Sequence, residues 1–231
     1  MLTQKIEIAP SILTADFGAL RSQIIEVTAA GVDRIHLDIM DGHFVPPLSF
    51  STEVVTAVAS ATNLPIEVHL MVENPLKYIE MFAEAGASTH IFHFEAMQNL
   101  DSCQTVIQEI KASNSSPAVA ISPNTNIDSI IELMEDIEQV TVMTIEPGWG
   151  GQKLKPELLS KIIDLRKITS EMNLPNFNIE IDGGVKIDNI KQCITAGANV
   201  LVAGSAIYND NMNPKRAVEE LRIAINNSLK K

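Results

Sequence analysis

The sequence contains few aromatic residues. Phenylalanine, tryptophan and tyrosine together make up 4% of its 231 residues, whereas hydrophobic residues of all kinds make up 45%. A core must therefore be built mainly from isoleucine, valine, leucine and alanine, as in the buried strands of α/β proteins. The length suits one sizeable core of that class.

Basic residues are also scarce. The chain has 17 lysines and arginines against 29 aspartates and glutamates, which gives a formal net charge of -12. Nucleic acids and anionic membrane surfaces bind through basic stripes. We therefore expect no nucleic-acid partner and no membrane partner, and any anionic substrate must be held by local groups against the overall field.

Cysteines and long apolar runs are nearly absent. Cys103 and Cys193 lie far apart and lack the spacing of metal sites, so we expect both to be reduced and buried. No run approaches the roughly 18 apolar residues of a membrane span, and the N-terminal segment lacks a basic region followed by an apolar one. These features predict a soluble, cytoplasmic protein.

Short β-branched runs alternate eight times with longer segments of helical period. The predicted strands span residues 5–9, 34–39, 66–70, 90–94, 118–121, 139–144, 178–181 and 200–203. The predicted helices span residues 17–30, 51–60, 75–85, 100–112, 127–134, 156–172, 187–196 and 214–229. No composition break or linker interrupts them, so we expect residues 1–231 to form one domain.

The boundaries of these segments carry the usual helix signals. Asn-Pro pairs at 74–75 and 213–214 combine an N-cap residue with proline at the first helical position. Gly31, Gly86 and Gly197 follow alanine-rich helix ends, where a left-handed residue favours glycine. Strictly alternating strands and helices predict a parallel sheet. Eight such units favour a closed (β/α)8 TIM barrel over an open sheet, with the active site at the carboxyl ends of the strands.

Unusual polar residues stand at those strand ends. In the segment IHLDIM, His36 and Asp38 share one face of a strand whose other face is apolar. His69 and Asp182 end the third and seventh strands in the same way. Because a buried carboxylate needs a charged or hydrogen-bonding partner, these four side chains predict a site for zinc, iron, manganese or cobalt.

The remaining histidines have ordinary explanations. We interpret His90 as a core residue and His93 as one that at most touches a metal ligand, beside Glu95. His43 lies in the loop after the second strand, where it could contact a substrate.

Three glycine-rich loops follow the last three strands. They are EPGWGGQ at 146–152, the pair Gly183 and Gly184, and the segment 203–205. Such loops can present backbone N–H groups to a phosphate. Lys153 is the only basic residue near them, so we expect phosphate binding through amides rather than through a cationic clamp.

Several long motifs occur in order between Ile8 and Ile207. They are IAPSILTADF, HLDIMDGHFVP, VHLMVENP, FHFEA, VMTIEPGWGGQ, IDGGV and VLVAGSAI. Together they closely resemble the ribulose-phosphate 3-epimerase family. The resemblance implies a metal-dependent isomerase of the pentose phosphate pathway that interconverts D-ribulose 5-phosphate and D-xylulose 5-phosphate. It also implies a homo-oligomer, although no stretch of the sequence identifies the contact.

The resemblance assigns roles to individual residues. The family's metal ligands match His36, Asp38, His69 and Asp182, and its acid/base pair matches Asp38 and Asp182. The implied substrate contacts are Ser11, Met40, His69, Met71, Met143, Gly148, Trp149, Gly150, Gly151, Gly183, Gly184, Gly204 and Ser205. Trp149 stands where the family usually has phenylalanine and Pro47 where it usually has asparagine, so the exact sugar is open.

The residues suit this chemistry independently of the family. Inverting a carbon next to a ketone needs a proton removed from one face and returned to the other, and Asp38 and Asp182 could flank a planar enediolate in this way. One divalent metal ion would stabilise the developing charge as a Lewis acid. Methionines would form a soft, dry wall around the reacting carbon.

Three alternatives stay open at this point. A sister enzyme could epimerise a ketohexose phosphate such as D-allulose 6-phosphate. A metal-free phosphate-binding barrel of the tryptophan-pathway kind would share the glycine loops without needing the His/Asp set. A non-catalytic sugar-phosphate binder would keep the barrel without exchanging the C3 proton.

Overall fold

Eight parallel strands form one sheet that curves into a barrel. The computed structural model describes residues 4–230. The strands are β1 (Glu7–Pro10), β2 (Ile35–Met40), β3 (Ile66–Met71), β4 (Thr89–His93), β5 (Ser116–Ile121), β6 (Gln139–Met143), β7 (Asn178–Asp182) and β8 (Val200–Ala203). Their order in the sheet is β1-β8-β7-β6-β5-β4-β3-β2. All eight predicted strands are present, with boundaries shifted by two residues at most.

Helices cover the outer face of the sheet. They are α1 (Leu20–Ala29), α2 (Thr52–Ala59), α3 (Ile79–Glu84), α4 (Leu100–Ala112), α5 (Leu159–Glu171), α6 (Ile190–Ala196) and α7 (Pro214–Leu229). Between β5 and β6 the predicted helix is instead the 3₁₀ helix Ile127–Leu133. The predicted helices at 17–30, 75–85 and 156–172 each begin with a short 3₁₀ turn, and the one predicted from residue 187 begins at Ile190.

The helix-end signals are confirmed. Gly31, Gly86 and Gly197 have φ values of 87°, 112° and 116°, as left-handed residues at helix ends do. The Asn213 side chain accepts a hydrogen bond of 2.9 Å from the Arg216 N–H. Asn74 is likewise the N-cap residue of the 3₁₀ turn Pro75–Lys77, but its side chain makes no capping hydrogen bond.

The strands bury both faces, but different kinds of residue point each way. In β2 the side chains of Ile35, Leu37 and Ile39 belong to the main hydrophobic cluster between sheet and helices. His36 and Asp38 point into the barrel and are equally buried. The period-two alternation of the sequence therefore separates an apolar outer core from a partly polar interior.

The seam between β1 and β2 closes the barrel. Among residues 4–230, its backbone pairing consists of a bridge between Ser11 and His36 and a 3.1 Å hydrogen bond from the Asp33 N–H to the Ile8 carbonyl. The Asp33 carboxylate adds a side-chain contact, since it accepts a 2.7 Å hydrogen bond from the Ile8 N–H. Side chains thus do at this seam part of what ladder hydrogen bonds do between the other strands.

Two simpler expectations concern the rest of the chain. Cys103 and Cys193 are both free and buried, as predicted. Among residues 4–230, no helix has the length and apolar composition needed to cross a bilayer.

His90 is a buried histidine away from the barrel mouth. It lies in β4, fully buried, close to the backbone of Ile79 in α3. Within residues 4–230, neither ring nitrogen has a hydrogen-bond partner of good geometry. Burial lowers the pKa of His90 to about 4, and the Ile79 backbone opposes this only in part.

This burial predicts a specific sensitivity to acid. Below its ordinary pKa of 6.5, His90 is protonated in the unfolded chain but stays neutral in the fold until the pH falls to about 4. The free energy of unfolding should therefore decrease as the pH is lowered through this window. This one group contributes up to about 1.4 kcal/mol per pH unit. We expect His90→Leu to flatten the slope of unfolding free energy against pH, measured by urea denaturation, relative to the wild type. Parallel slopes for the two proteins would contradict the assignment.

Candidate active site

The carboxyl ends of β2, β3 and β7 bring four predicted ligands together. His36, Asp38, His69 and Asp182 each offer one donor atom, and these atoms all lie within 4.8 Å of one another. The strand register explains this convergence, because Asp38 pairs directly with His69 across β2 and β3. The sequence prediction that these side chains share one end of the barrel therefore holds.

The spacing of the donor atoms suits a shared metal ion. The His69 Nδ1 atom lies 3.2 Å from Asp38 Oδ1 and 3.4 Å from Asp182 Oδ2. The His36 Nε2 atom lies 3.4 Å from Asp38 Oδ1 and 3.9 Å from Asp182 Oδ2. Ligand atoms about 2.0–2.2 Å from one tetrahedral ion are separated by roughly 3.3–3.6 Å. His36 Nε2 is also buried without a hydrogen-bond partner among the described residues, which a metal bond would supply.

The electrostatics of this cluster are strongly coupled. Burial would raise the pKa of Asp38, but the neighbouring imidazoles of His36 and His69 outweigh it and hold that pKa well below its usual range. Burial would lower the pKa of His36, but Asp38 and Glu67 raise it well above the ordinary value. The carboxylate and imidazole charges thus offset each other, and a divalent cation could replace the protons that the histidines would otherwise hold.

A second polar layer lies beneath the first. The Arg34 guanidinium donates hydrogen bonds of 2.8 Å to Glu67 Oε2 and to Gln139 Oε1, and it also pairs with Glu7. The other oxygen of Glu67, Oε1, lies 2.8 Å from His36 Nδ1. A buried cation and a buried carboxylate therefore support the histidine from the side away from the pocket.

Glu180 completes this lower layer. It is fully buried, and its Oε1 accepts a 2.8 Å hydrogen bond from the Thr141 hydroxyl. Burial and the nearby charge of Glu67 raise the pKa of Glu180 well above its ordinary value. The sequence interpretation missed Arg34, Glu67 and Glu180 as a network. The strand periodicity could have revealed two of them. Glu67 and Glu180 stand two residues before His69 and Asp182 and therefore share their face of the strand.

Ser11, the residue that follows β1, contacts the cluster. Its hydroxyl donates a 2.6 Å hydrogen bond to Asp38 Oδ2, the oxygen that faces away from the histidines. Ser11 also lines the pocket above the cluster. The structure therefore gives this residue a carboxylate to orient, in addition to the substrate contact predicted from the resemblance.

The predicted substrate residues surround one pocket. All of them except His69 line it, together with Asp38 and Asp182: Ser11, Met40, Met71, Met143, Gly148, Trp149, Gly150, Gly151, Gly183, Gly184, Gly204 and Ser205. His36 and His69 are fully buried and form no part of its lining. Trp149 is 61% exposed and stands at the rim. Sequence analysis did not single out Leu13, Thr14 and Ile145, which also line the pocket.

The side of the pocket formed by the late glycine loops has no charged side chain in its lining among the described residues. Among residues 4–230, no lysine or arginine lines the pocket. Gly148, Gly151, Gly183 and Gly184 all have positive φ values, so the loops after β6 and β7 turn sharply beside the cavity. This arrangement agrees with binding an anion through backbone N–H groups.

Two of the other histidines lie near the pocket without lining it. His43 is exposed, and its Nδ1 lies 2.9 Å from the Asp41 carbonyl oxygen. His93 is fully buried behind His69, and its Nδ1 lies 2.9 Å from Glu95 Oε2.

Comparison with known proteins gives a consistent result. The sequence profile described as "Ribulose-phosphate 3 epimerase family" matches residues 7–208. Ribulose-phosphate 3-epimerase of Bacillus subtilis (strain 168) is 42% identical over 217 residues, covering 94% of this chain and 98% of that protein. The cytoplasmic isoform of ribulose-phosphate 3-epimerase of Oryza sativa subsp. japonica is 40% identical, covering 97% of this chain and 96% of the relative.

Solved structures agree on the fold. A crystal structure of KGPDC from Streptococcus mutans superposes with a TM-score of 0.73. The match covers 98% of this chain and 100% of the other at 16% sequence identity. At that identity the likeness supports the barrel architecture alone.

Gly184 allows a sharp test of the loop geometry. It has a φ of +69°, and a Cβ built on it would lie 2.2 Å from the backbone nitrogen of Leu154. Gly151 also has a positive φ, of +78°, but a Cβ there would meet nothing within 4 Å. We expect Gly151→Ala to cost about 1–2 kcal/mol of unfolding free energy. Gly184→Ala should cost more and weaken the binding of inorganic phosphate, because the backbone near Leu154 must move. Equal effects of the two substitutions on stability and binding would contradict this account.

Proposed function

Because this chain belongs to the ribulose-phosphate 3-epimerase family, we propose that it interconverts D-ribulose 5-phosphate and D-xylulose 5-phosphate through a planar enediolate. One observation carries the proposal: two aspartates from different strands, Asp38 of β2 and Asp182 of β7, line the same pocket. Inversion at C3 requires such a pair of proton-transfer groups. Asp38 lies within β2, and Asp182 is the last residue of β7.

We propose distinct tasks for the two carboxylates. One aspartate removes the C3 proton, the other returns a proton to the opposite face, and their roles exchange with the direction of reaction. The hydrogen bond from Ser11 to Asp38 Oδ2 fixes how that carboxyl group is turned toward the pocket. Three methionines, Met40, Met71 and Met143, line the same space and exclude water from the reacting carbon.

Substrate position is set from the other side of the pocket. The loops after β6, β7 and β8 would bind the phosphate through backbone N–H groups, which places C3 between the aspartates. Because no basic side chain lines the pocket within residues 4–230, orientation depends on loop geometry rather than on a mobile cation. A ligand that lacks the phosphate should lose this alignment.

The residues present fit a metal cofactor. His36, Asp38, His69 and Asp182 would hold one divalent ion of zinc, iron, manganese or cobalt. Bound there, the ion would act as a Lewis acid that stabilises negative charge on the substrate oxygens. The buried Glu67 and Arg34 behind His36 keep that imidazole in place.

The two-base scheme makes a direct prediction. Asp182→Asn should lower turnover by about 10²–10⁴-fold, because the amide cannot exchange a proton with C3. The measurement follows deuterium from D2O into C3 of the product and of the recovered ribulose 5-phosphate. Wild-type enzyme should label mainly the product. The exposed Asp210→Asn variant is the matched control and should behave as the wild type does. Near wild-type turnover by Asp182→Asn would rule out the scheme.

Running the assay with D-allulose 6-phosphate separates this proposal from a hexulose phosphate epimerase.

Removal of metal gives a second test. After treatment with a chelator, with metal content checked by mass spectrometry, turnover should fall at least about 100-fold, since a C–H acid beside a ketone is too weak for a carboxylate alone. Adding back zinc, iron(II), manganese or cobalt singly should restore it to different extents. Full activity in protein verified as metal-free would overturn the cofactor assignment.

A further inference from the structure

A chain of hydrogen bonds leads from His69 away from the pocket. The His69 Nδ1 atom faces Asp38 and Asp182, while its Nε2 atom lies 2.9 Å from the Nε2 atom of His93. The Nδ1 atom of His93 in turn lies 2.9 Å from Glu95 Oε2. Both imidazoles are fully buried, so these contacts are shielded from competing water.

The contact between the two imidazoles is a hydrogen bond in the plane of the rings. The ring planes of His69 and His93 differ by 19°, and their centroids are 5.0 Å apart. That separation is close to the 2.9 Å distance between the nitrogens plus the two ring radii, so the rings meet edge to edge. One of the two nitrogens must carry a hydrogen atom and the other a lone pair.

Glu95, at the far end of this series of hydrogen bonds, decides which nitrogen carries the hydrogen atom. Burial would raise the pKa of Glu95, but hydrogen bonds from His93, Thr125 and the Ser122 N–H lower it to about 2. An ionised carboxylate only accepts hydrogen bonds, so His93 donates from Nδ1. A neutral His93 then has its lone pair on Nε2 and accepts a hydrogen bond from the Nε2–H of His69.

We propose that Glu95, acting through His93, is a positioning residue that holds His69 in the tautomer whose bare Nδ1 points at the metal-binding cluster. This inference rests on the metal site proposed above. Metal ligation needs that lone pair, and a wrong tautomer would present a hydrogen atom to the ion instead.

The other histidine of the cluster shows the same arrangement. The His36 Nδ1 atom lies 2.8 Å from Glu67 Oε1, which leaves its Nε2 bare and facing Asp38. The two imidazoles thus present opposite ring nitrogens, and in each case a carboxylate stands behind the ring. At His36 the carboxylate acts directly, whereas at His69 a second histidine spans the gap.

The loop after β5 holds Glu95 in place. The Oε1 atom of Glu95 accepts hydrogen bonds from the Ser122 N–H, at 2.7 Å, and from the Thr125 hydroxyl. The Lys161 ammonium donates to three carbonyl oxygens of the same loop, those of Ser122, Pro123 and Thr125. This loop contains the segment SPNT at residues 122–125, so the sequence of a loop outside the pocket bears on His69, one of the proposed metal ligands.

Glu95→Gln tests the proposal with little change in size. A glutamine cannot accept hydrogen bonds from both His93 and the loop, since one end of its amide is a donor. We expect its zinc affinity, measured by competition with a chromogenic chelator, to fall about 10–100-fold. In the zinc-loaded protein, 15N spectra of the histidine rings should show that the Nε2–H form of His69 is no longer the sole tautomer.

Two further variants control for other causes. Glu220→Gln removes the same charge from an exposed ion pair with Arg216 in α7 and should bind zinc as the wild type does. Thr125→Val removes a loop contact of Glu95 but keeps its bond to His93, so it should bind zinc more tightly than Glu95→Gln does. If Thr125→Val loses as much affinity as Glu95→Gln, Glu95 acts only by holding the loop and the proposal is wrong.

The remaining outcomes are also decisive. Wild-type zinc affinity and an unchanged His69 spectrum in Glu95→Gln would overturn the proposal. If both Glu95→Gln and Asp182→Asn bind zinc as the wild type does, the proposed metal site itself is wrong. If Asp182→Asn binds zinc weakly while Glu95→Gln binds it normally, the metal site stands and only the role of Glu95 is wrong. Should Glu95→Gln fail to fold, His93→Gln can still accept from His69 and donate to Glu95. It should therefore bind zinc more tightly than His93→Leu, and equal affinities would refute the proposal.

Discussion

The structure depends on keeping charged groups inside a barrel without leaving any of them alone. An unpaired buried charge costs far more than one hydrogen bond returns, and this interior contains Arg34, Glu67, His36 and Asp38 in one connected series. Each member neutralises the next. Burial and the charge of Glu67 raise the pKa of Glu180 beside them, and Glu180 Oε1 accepts a hydrogen bond from the Thr141 hydroxyl. These groups, from Arg34 through Glu67 and His36 to Asp38 with Glu180 beside them, form a polar column on the β2, β3 and β7 side of the barrel. On the β4 and β5 side, Ile91, Ala118 and Ala120 fill the space.

This asymmetry gives the pocket its chemical character. The column ends at the carboxyl edge of the sheet in carboxylates and imidazoles, so the charged side chains of the pocket stand on one side of it. Met40, Met71 and Met143 supply the apolar remainder. The late glycine loops are separate from the column and carry no cationic side chain into the pocket. In the proposed mechanism, proton transfer and substrate orientation therefore belong to different parts of the fold.

Much of this architecture could be read from local sequence, and the exceptions have a common cause. Strand periodicity predicted that His36 and Asp38 share a face, and glycine after alanine-rich segments predicted three helix ends. The bonds from Arg34 to Glu67 and from Ser11 to Asp38 span 33 and 27 residues, so they exist only once the barrel closes.

The seam between β1 and β2 has a mechanical meaning. Because ladder bonds are few there, the barrel is held shut partly by Asp33 on the Ile8 N–H and by Ser11 on Asp38. The second of these contacts belongs to the pocket itself. The seam with few backbone hydrogen bonds is therefore also part of the pocket. A ligand that contacts both strands should stabilise the whole barrel against opening at this seam.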